Sequence, residues 1–412
     1  MAGEWRDLRW GDLATLEYGR ALRSYDTSSG RFRVFGTNGP IGWHDKALCS
    51  HPGVIIGRKG AYRGVHYSSA PFFVIDTAFY LEPKVEMDLR WAYYELLTQD
   101  INGMDSGSAI PSTSREAFYS LLVRVPPPDE QRAIACILRT LDDKIELNRR
   151  MNETLEAMAR ALFKSWFVDF DPVRAKAEGR DPGFPKAIAD LFPDRFVDSQ
   201  LGKIPEGWDV GPLLNHATLL SGGTPKTERE DYWGGHILWA SARDVSQSGD
   251  TFLVTTARTI TEKGLEESAT QVIPAFCTVV VARGATTGRM VLFGREMAMN
   301  QTCYGLASKR GTPFTLYCQL RNTINDLVHS AHGSVFDTIT TSTFSAAKVV
   351  LPPTSIIESF DKAVSSIFRK ILTNTEESSI LAALRDALLP KLLSGEIRIK
   401  DAKKKMATGV VA

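Results

Sequence analysis

Residues 126–170 read PPPDEQRAIACILRTLDDKIELNRRMNETLEAMARALFKSWFVDF. After the prolines, apolar and asparagine side chains recur at alternating spacings of four and three, which keeps one face of a helix turned toward a partner helix. That face consists of Ile134, Leu138, Leu141, Ile145, Asn148, Asn152, Leu155, Ala159, Leu162 and Trp166. The spacing predicts a helix over about 129–168. At 1.5 Å per residue it would be roughly 58 Å long, too long for one small globule to cover.

The same face recurs 226 residues further on, after a second proline block at 352–353. Its positions are Phe360, Val364, Ile367, Ile371, Asn374, Ser378, Leu381, Arg385, Leu388 and Leu392. A second helix is therefore predicted over about 355–394, with Arg385 as its charged exception. Two matched faces predict an antiparallel coiled coil, in which Asn148 and Asn374 lie in or beside one polar layer and fix the register. The alternative is two separate amphipathic helices, each packed on its own globule.

The residues before each helix also form a repeat, and its offset grows along the chain. Trp5 matches Trp208 at an offset of 203, Lys59-Gly60-Ala61 matches Arg283-Gly284-Ala285 at 224, and Gly107-Ser108 matches Gly333-Ser334 at 226. Small insertions in the loops of a duplicated unit explain this drift. Short apolar runs between glycines and prolines indicate strands, and the spacing over Leu89 to Leu97 indicates a helix.

The predicted fold class is α+β: two α/β globules, each followed by a long helix, with pseudo-two-fold symmetry. The predicted boundaries are a first globule, a central helix, a linker, a second globule, a C-terminal helix and a basic tail, at 1–125, 126–168, 169–205, 206–351, 352–396 and 397–412.

Composition limits the function. The 412 residues include 49 Lys plus Arg and 48 Asp plus Glu, a net charge of +1, so the chain cannot coat nucleic acid by charge alone. Five cysteines without a CxxC pair give no sign of a disulfide framework or zinc knuckle. The seven histidines show no metal-ligand spacing, and we expect no metal site. His44 and His51 are interpreted as polar loop residues. The absence of a signal-like or long apolar segment predicts a cytoplasmic protein.

The usual catalytic motifs are missing as well. The sequence has no GxxxxGK[ST] loop, no HExxH and no GxSxG elbow. It also lacks the [DNS]PP[YFW] loop of adenine-methylating enzymes. We therefore expect a non-catalytic protein without a cofactor of its own.

Two glycine-bounded segments, 57–64 and 282–289, concentrate cations and hydroxyls in corresponding places of the two globules. Arginine can bond guanine through two N–H groups, and lysine and threonine can bond phosphates or base edges. Tight turns with solvated charges are the alternative. A further turn, Ser221-Gly222-Gly223-Thr224-Pro225-Lys226, is a weaker candidate. The candidate DNA-binding residues are Arg58, Lys59, Tyr62, Arg63, Ser108, Lys226, Arg243, Arg283, Thr286, Thr287 and Arg289.

Taken together, the long helix at 126–170 and the strings LFPDRFVDSQLGKIPEGWDV, SGGTPKTEREDYWGGHI and LLPKLLSGEIRI resemble the specificity subunit of type I restriction-modification systems. The resemblance covers essentially the whole chain. The central helix and the segment ending in IPEGW are its most specific parts, whereas the globules match only at framework positions.

The resemblance implies that the globules are two target recognition domains, each reading half of a bipartite double-stranded DNA sequence, and that the helices set the gap between the halves. It implies two modification subunits, which carry S-adenosylmethionine and methylate adenine at N6, and a complex that can add two motor-nuclease restriction subunits. The alternative function is a free-standing DNA-binding scaffold or regulator without methyltransferase partners.

Overall fold

The computed structural model describes residues 4–25, 29–105, 107, 110–331 and 338–399, without the side chains of 329–331. The chain forms two compact units. One comprises Met1–Lys144 with Leu381–Ala412, and the other comprises Ile145–Ile380. Two long helices each contribute to both units.

The first unit contains nine strands and three short helices before the first long helix, counted over its described residues. These are β1 Arg6–Arg9, α1 Trp10–Leu13, β2 Ala14–Tyr18, β3 Phe32–Gly36, β4 Gly39–His44, β5 Gly53–Gly57, β6 Val65–Ser68, β7 Phe72–Val74, β8 Ala78–Pro83, α2 Leu89–Leu97, α3 Arg115–Ser120 and β9 Leu122–Val125. An antiparallel sheet has the order β2-β8-β5-β6. A second sheet has the order β4-β3-β7, with β3 parallel to β7, and β1 pairs with β9. The helix predicted over Leu89 to Leu97 is confirmed.

An aromatic core holds the first unit together. The Trp10 ring stacks on Trp91 at 6.4 Å and contacts Phe118 at 5.7 Å. Inside this core, Glu95 of α2 accepts hydrogen bonds from Trp10 Nε1 (3.1 Å) and Gln99 Nε2 (2.8 Å). Glu95 is 7% exposed. Burial raises its pKa from 4.5 to about 7, even though both hydrogen bonds lower it.

The substitution Glu95→Gln is expected to remove a pH-dependent loss of stability. Because the folded-state pKa lies above the ordinary value, the proton stabilises the folded state fully below about pH 4.5, and this contribution is lost as the pH rises through about 7. A shift of this size corresponds to about 3 kcal/mol. In urea unfolding, the variant should gain up to about 3 kcal/mol over wild type between about pH 5 and pH 8. An equal difference at both pH values would contradict the assignment.

The second unit repeats this plan with insertions. The two long helices are α4 Pro128–Phe167 and α11 Thr354–Ser394. Between them lie α5 Asp171–Ala177, α6 Lys186–Ala189, β10 Phe196–Ser199, β11 Gly202–Pro205, β12 Asp209–Pro212, β13 Ala217–Ser221, β14 Trp233–Ala240, α7 Ala242–Gln247, β15 Phe252–Leu253, β16 Arg258–Ile260, α8 Glu262–Glu266, β17 Val272–Ile273, β18 Thr278–Val281, β19 Met290–Phe293, β20 Met297–Met299, β21 Cys303–Ser308, α9 Pro313–Ala331, α10 Thr341–Ala346 and β22 Lys348–Leu351. Two 3-10 turns, Leu213–Asn215 and Glu230–Tyr232, complete the described elements.

The sheets of the two units share a strand order, to which the second unit adds one strand in each sheet. The order β13-β21-β18-β19 in the second unit matches β2-β8-β5-β6 in the first, and a fifth strand, β15, is added at the edge. The parallel pair of β14 with β20 matches that of β3 with β7. At the predicted offsets, β12, β13, α10 and β22 have the same bounds as β1, β2, α3 and β9. The α+β fold class and the duplication are thus confirmed.

The helices α4 and α11 pack antiparallel within each unit. In the second unit, the ring of Phe163 in α4 contacts the ring of Phe360 in α11 at 5.7 Å. In the first unit, Arg385 Nη1 in α11 donates to Asp142 Oδ1 in α4 at 2.9 Å, which explains the charged exception in the seam. The predicted seam positions all lie in the described part of the chain, and none of them is exposed. Packing of the two helices against each other is thus confirmed.

A buried polar layer crosses the helix pair in the second unit. Asn148 Nδ2 donates to the Asn374 carbonyl (3.3 Å) and to Ser378 Oγ (3.2 Å). Asn374 Nδ2 donates to Asn152 Oδ1 at 2.9 Å, and Asn152 Nδ2 donates to Thr375 Oγ1 at 3.2 Å. Asn148 and Asn374 are both 0% exposed. The two asparagines share one layer, but Asn152 rather than Asn148 accepts from the Asn374 side chain.

Two predicted segments are more ordered than expected. The region 169–205 is a folded part of the second unit rather than a simple linker, because Phe170, Phe192 and Ile204 are buried in that unit's core. The predicted start of the basic tail, residue 397, is too early. Arg398 donates a hydrogen bond to Glu130, and Ile399 is buried in the core of the first unit. The lysines at 403–405 lie outside the described residues. Among the described helices, none is both long and apolar enough to cross a membrane.

Candidate nucleic-acid interface

Each cation-rich segment connects two neighbouring antiparallel strands, in the sheet β2-β8-β5-β6 of the first unit or the sheet β13-β21-β18-β19-β15 of the second. The first basic loop, residues 58–64, joins β5 to β6 in the first unit, and the second basic loop, residues 282–289, joins β18 to β19 in the second unit. Equivalent strands therefore present both loops, each from the sheet of its own globule.

The backbone of the first basic loop is anchored at several points. Gly57 N donates to the Gly64 carbonyl at 2.8 Å and closes the loop. Gly60 N donates to Pro111 O (2.9 Å), and Thr113 N donates to Arg58 O (2.9 Å). A Cβ at Gly57 would lie 2.8 Å from the Arg63 Cα atom, so the close approach requires glycine. These hydrogen bonds hold the loop backbone in one conformation against the neighbouring segment at 111–113.

Three side chains of the first basic loop are available at the surface. Lys59 is exposed, and the Tyr62 ring is 79% exposed. Arg58 is half-buried: Nη1 donates to the Asp76 carbonyl at 2.8 Å, and the guanidinium lies 4.8 Å from the Tyr18 ring centroid. Its remaining N–H groups are oriented by these two contacts. A cation, an oriented guanidinium and an aromatic ring suit phosphate, base-edge and stacking contacts respectively.

The prediction that Arg63 contacts DNA is wrong for this conformation. Arg63 is only 3% exposed. Its Nη2 donates to the carbonyls of Asn102 (2.5 Å) and Ile101 (3.4 Å), and its backbone N donates to Asn102 Oδ1 at 2.8 Å. The glycines around it let the chain turn inward, so the guanidinium holds the loop onto the 101–102 segment. Its function in the loop is structural.

The second basic loop is a tight turn with an exposed rim. Gly288 N donates to Val281 O at 2.9 Å, and Arg289 N donates to Thr286 O at 3.1 Å. Thr287 Oγ1 donates to the Gly284 carbonyl at 2.7 Å, so this hydroxyl stabilises the turn. Arg283, Thr286 and Arg289 are exposed. Two cations and one hydroxyl thus face solvent.

A short segment after the parallel strand supports the loop in each globule. In the first unit, the backbone N atoms of Arg58 and Lys59 donate to Thr77 O at 2.9 and 3.1 Å. In the second unit, Ala282 N donates to the Thr302 carbonyl at 2.8 Å. The strand pairings relate the support segments, 74–78 and 299–303, by an offset of 225, one residue more than the loops. The two globules therefore build this surface in the same way.

Lys226 lies beside the second support segment. The turn that precedes it is held there because Gly223 N donates to Met299 O (2.9 Å) and Thr224 Oγ1 hydrogen-bonds Gln301 Oε1. The Lys226 side chain is exposed. Arg243 is exposed on α7, where its Nε donates to Gln247 Oε1 at 3.0 Å. The end of β14, two residues before α7, is tied to the same segment, since Asn300 N donates to Ala240 O at 2.9 Å.

The structure adds two cations that the sequence reasoning missed. Arg20 N donates to Val74 O at 2.9 Å, and this bond is equivalent to the one from Gly223 N to Met299 O in the second unit. The preceding residues, Gly19 and Gly222, likewise lie against the support segments. Arg23 therefore stands where Lys226 stands in the second unit. Arg20 and Arg23 are both exposed. The offset of 203 that aligns β2 with β13 is the signal that could have found them. Ser108, by contrast, lies outside the described residues.

The arrangement suits binding rather than reaction chemistry. Each globule carries a braced loop whose exposed side chains donate hydrogen bonds or carry positive charge, next to a second cationic turn on the same support segment. Such donors match phosphate oxygens and the acceptor atoms of purine edges. Duplicated surfaces of this kind fit an elongated anionic polymer.

Comparison with known proteins agrees with this geometry. A family model described as the type I restriction modification DNA specificity domain matches residues 2–157 and 205–384. The specificity subunit of the type I restriction enzyme HindI from Haemophilus influenzae is 29% identical over 351 residues, which cover 74% of each chain. The MjaIX specificity subunit from Methanocaldococcus jannaschii is 25% identical over 342 residues, covering 77% of this chain and 71% of the relative.

A solved structure extends the likeness to nearly the full length. The S subunit of a type I restriction-modification system from M. genitalium aligns with a TM-score of 0.64 at 17% identity, over 95% of this chain and 96% of that one. At this identity the alignment supports the fold alone. Because the family model matches both halves of the duplicated chain, the protein belongs to the type I restriction-modification specificity subunits, and its role there is DNA recognition rather than catalysis.

Proposed function

We propose that the chain reads a bipartite double-stranded DNA target, with each globule reading one half. The observation that carries this proposal is the duplicated surface: two basic loops on equivalent strands, each braced by an equivalent support segment. A single globule offers only a few base contacts, and each mismatched base pair costs roughly 1–3 kcal/mol. Two linked readers gain affinity and selectivity because the second engagement is intramolecular.

We further propose that α4 and α11 serve two purposes: they set the gap between the half-sites and they dock two modification subunits. Those subunits would supply S-adenosylmethionine and methylate adenine at N6, and restriction subunits would join the same assembly in the cytoplasm. Support comes from the chain's own composition, since it has no adenine-methylation loop, and from its membership of a family named for DNA specificity. Co-purification with an N6-adenine methyltransferase would separate this proposal from a free-standing DNA-binding regulator.

Loop substitutions should affect one half-site at a time. In the complex with a modification subunit, Arg58→Ala is expected to weaken reading of one half-site and Arg283→Ala the other, by about 1–3 kcal/mol or roughly 5- to 150-fold in Kd. The measurement is an electrophoretic shift with three duplexes: the intact target and two targets with one half scrambled. Each variant should lose discrimination against only one scrambled half.

Lys186→Ala serves as the matched control, because Lys186 is an exposed cation on α6 that belongs to neither basic loop. It should retain discrimination against both scrambled halves. If the two loop variants bind all three duplexes as wild type does, the loops are not the reading surface.

We also propose that the polar layer of Asn148, Asn152 and Asn374 fixes the register of the two helices. Asn374→Leu alone should destabilise the second unit by about 1–3 kcal/mol, because it removes the donor that Asn152 Oδ1 receives. Replacing all three asparagines with leucine should instead raise the melting temperature and broaden the range of half-site gaps that are methylated. A single sharp gap in the triple variant would show that the layer does not set the register.

A further inference from the structure

Three side chains with metal-binding chemistry meet in the first unit, away from its basic loop. Cys49 lies before β5, where its backbone forms an isolated β-bridge with that of Phe72. His51 follows two residues later, and Glu82 lies in β8. One ligand atom from each residue lies within 4.8 Å of the other two. Cys49 Sγ is 3.5 Å from His51 Nε2, and His51 Nε2 is 3.4 Å from Glu82 Oε2.

These separations match a tetrahedral metal centre. Zinc lies about 2.3 Å from thiolate sulfur and about 2.0–2.1 Å from imidazole nitrogen or carboxylate oxygen. At a tetrahedral angle, such bonds place sulfur and nitrogen about 3.6 Å apart and nitrogen and oxygen about 3.3 Å apart. Cys49 Sγ lies equally close to both ring nitrogens, 3.6 Å from Nδ1 and 3.5 Å from Nε2, so a shared ion requires the His51 ring to turn until the Nε2 lone pair faces the sulfur.

The hydrogen bond of the other imidazole nitrogen orients His51 as a ligand. Nδ1 lies 2.8 Å from the Pro52 carbonyl, and a carbonyl can only accept, so Nδ1 carries a proton. This leaves the Nε2 lone pair directed toward the Glu82 carboxylate unless Nε2 binds a cation. Either a second proton or a metal ion can occupy that place. A ring N–H donated to a backbone carbonyl is the usual support of a metal-bound histidine.

We propose that Cys49 Sγ, His51 Nε2 and the Glu82 carboxylate bind a Zn²⁺ ion. Thiolate, imidazole and carboxylate together suit this borderline-soft ion. Binding releases the Cys49 thiol proton to solvent, because the thiolate is the ligand. The side chains of His51 and Glu82 are 39% and 44% exposed, so water can complete the fourth position.

The site belongs to the first globule only. The strand pairings align Cys49 with Ile273 and Glu82 with Ala307, and Ala275 takes the place of His51 in the second globule. Ile273 is fully buried there, and none of these three positions carries a metal-binding side chain. In the first globule, the ion would join the segment before β5 to β8, the strand that pairs with β5. It would therefore brace the base of the strand that presents the first basic loop.

The test is titration of the reduced full-length chain with Co²⁺, followed by displacement with Zn²⁺. We expect one equivalent of Co²⁺ to give a thiolate-to-metal charge-transfer band with strong visible bands of a four-coordinate ion. Cys49→Ser should lose the charge-transfer band. Cys136→Ser should keep it, because Cys136 is an exposed cysteine outside the cluster. Bound Zn²⁺ should raise the melting temperature of wild type but not of Cys49→Ser.

A second variant protects the test against misfolding of Cys49→Ser. Glu82→Gln keeps the thiol and the imidazole, and it should weaken Zn²⁺ binding by more than about 10-fold in competition with a chromophoric chelator. The proposal is overturned if wild type shows no thiolate band, if Cys49→Ser keeps the band, or if Glu82→Gln binds Zn²⁺ as tightly as wild type. Each of these results would leave a His51–Glu82 ion pair beside a buried thiol.

Discussion

Inserting one heptad into both long helices is expected to lengthen the gap between the two methylated half-sites by about three base pairs. Seven residues add about 10 Å to a helix and keep the seam facing its partner, and DNA rises 3.4 Å per base pair, so about 10 Å spans roughly three steps. The insertions belong between Lys144 and Ile145 in α4 and between Ile380 and Leu381 in α11, where the two compact units divide. The contacts within each unit are then preserved.

The readout is the methylated motif in cells that also express the modification subunit. Each half-site sequence should stay the same, because neither basic loop is changed. A heptad in α4 alone is the control, since it shifts one seam against the other and should abolish methylation rather than lengthen the gap. An unchanged gap in the doubly inserted protein would show that the helices do not set the spacing.

Replacing Arg398 with methionine is expected to destabilise the first unit by about 3–5 kcal/mol, because it leaves a buried carboxylate uncompensated. The Glu130 side chain is 2% exposed. Its two oxygens accept from Arg398 Nε (2.9 Å) and Nη2 (3.1 Å), and Oε2 also accepts from Trp5 Nε1 at 2.9 Å. This cluster joins the start of the chain, the start of α4 and the segment after α11.

The second unit shows how an apolar version of the cluster packs. Ile356 stands at the position of Glu130 and is fully buried, while Trp208 stands at the position of Trp5 and packs against Phe170 at 5.6 Å. The double variant Glu130→Ile with Arg398→Met should therefore recover most of the stability lost in the single variant.

Urea unfolding of the full chain, with hydrogen exchange to locate the change in the first unit, measures both effects. Arg132→Met is the matched control, because Arg132 is two residues from Glu130 and forms an exposed ion pair with Asp129, so its loss should cost at most about 1 kcal/mol. If Arg398→Met costs no more than this control, the buried cluster is not a source of stability.

Features with a long periodic signal were predictable from the sequence. The two helices follow from ten seam positions each, and their beginnings follow from the proline blocks, so α4 and α11 begin at Pro128 and Thr354. The duplication was visible because small framework residues recur at slowly growing offsets. The charge of Arg385 interrupts the apolar pattern because Asp142 lies opposite it and accepts its hydrogen bond.

The features that were missed depend on tertiary contacts. Nothing in the local sequence distinguishes the buried Arg63 from its exposed neighbour Lys59, because the difference arises from carbonyls near residue 101. Likewise, Cys49 and Glu82 are 33 positions apart, and only the pairing around β5 and β8 brings them together. The region 169–205 lacks strong periodicity, yet Phe170 and Phe192 are buried because they pack in the core of the second unit.

The most direct measurement is methylation-sensitive sequencing of DNA from cells that co-express this chain with its modification subunit. We expect a new N6-methyladenine motif in two parts separated by a fixed gap, and Arg283→Ala should relax only one part. A continuous motif, or no new methylated motif although the two subunits co-purify, would contradict the proposal that each globule reads half of a split target.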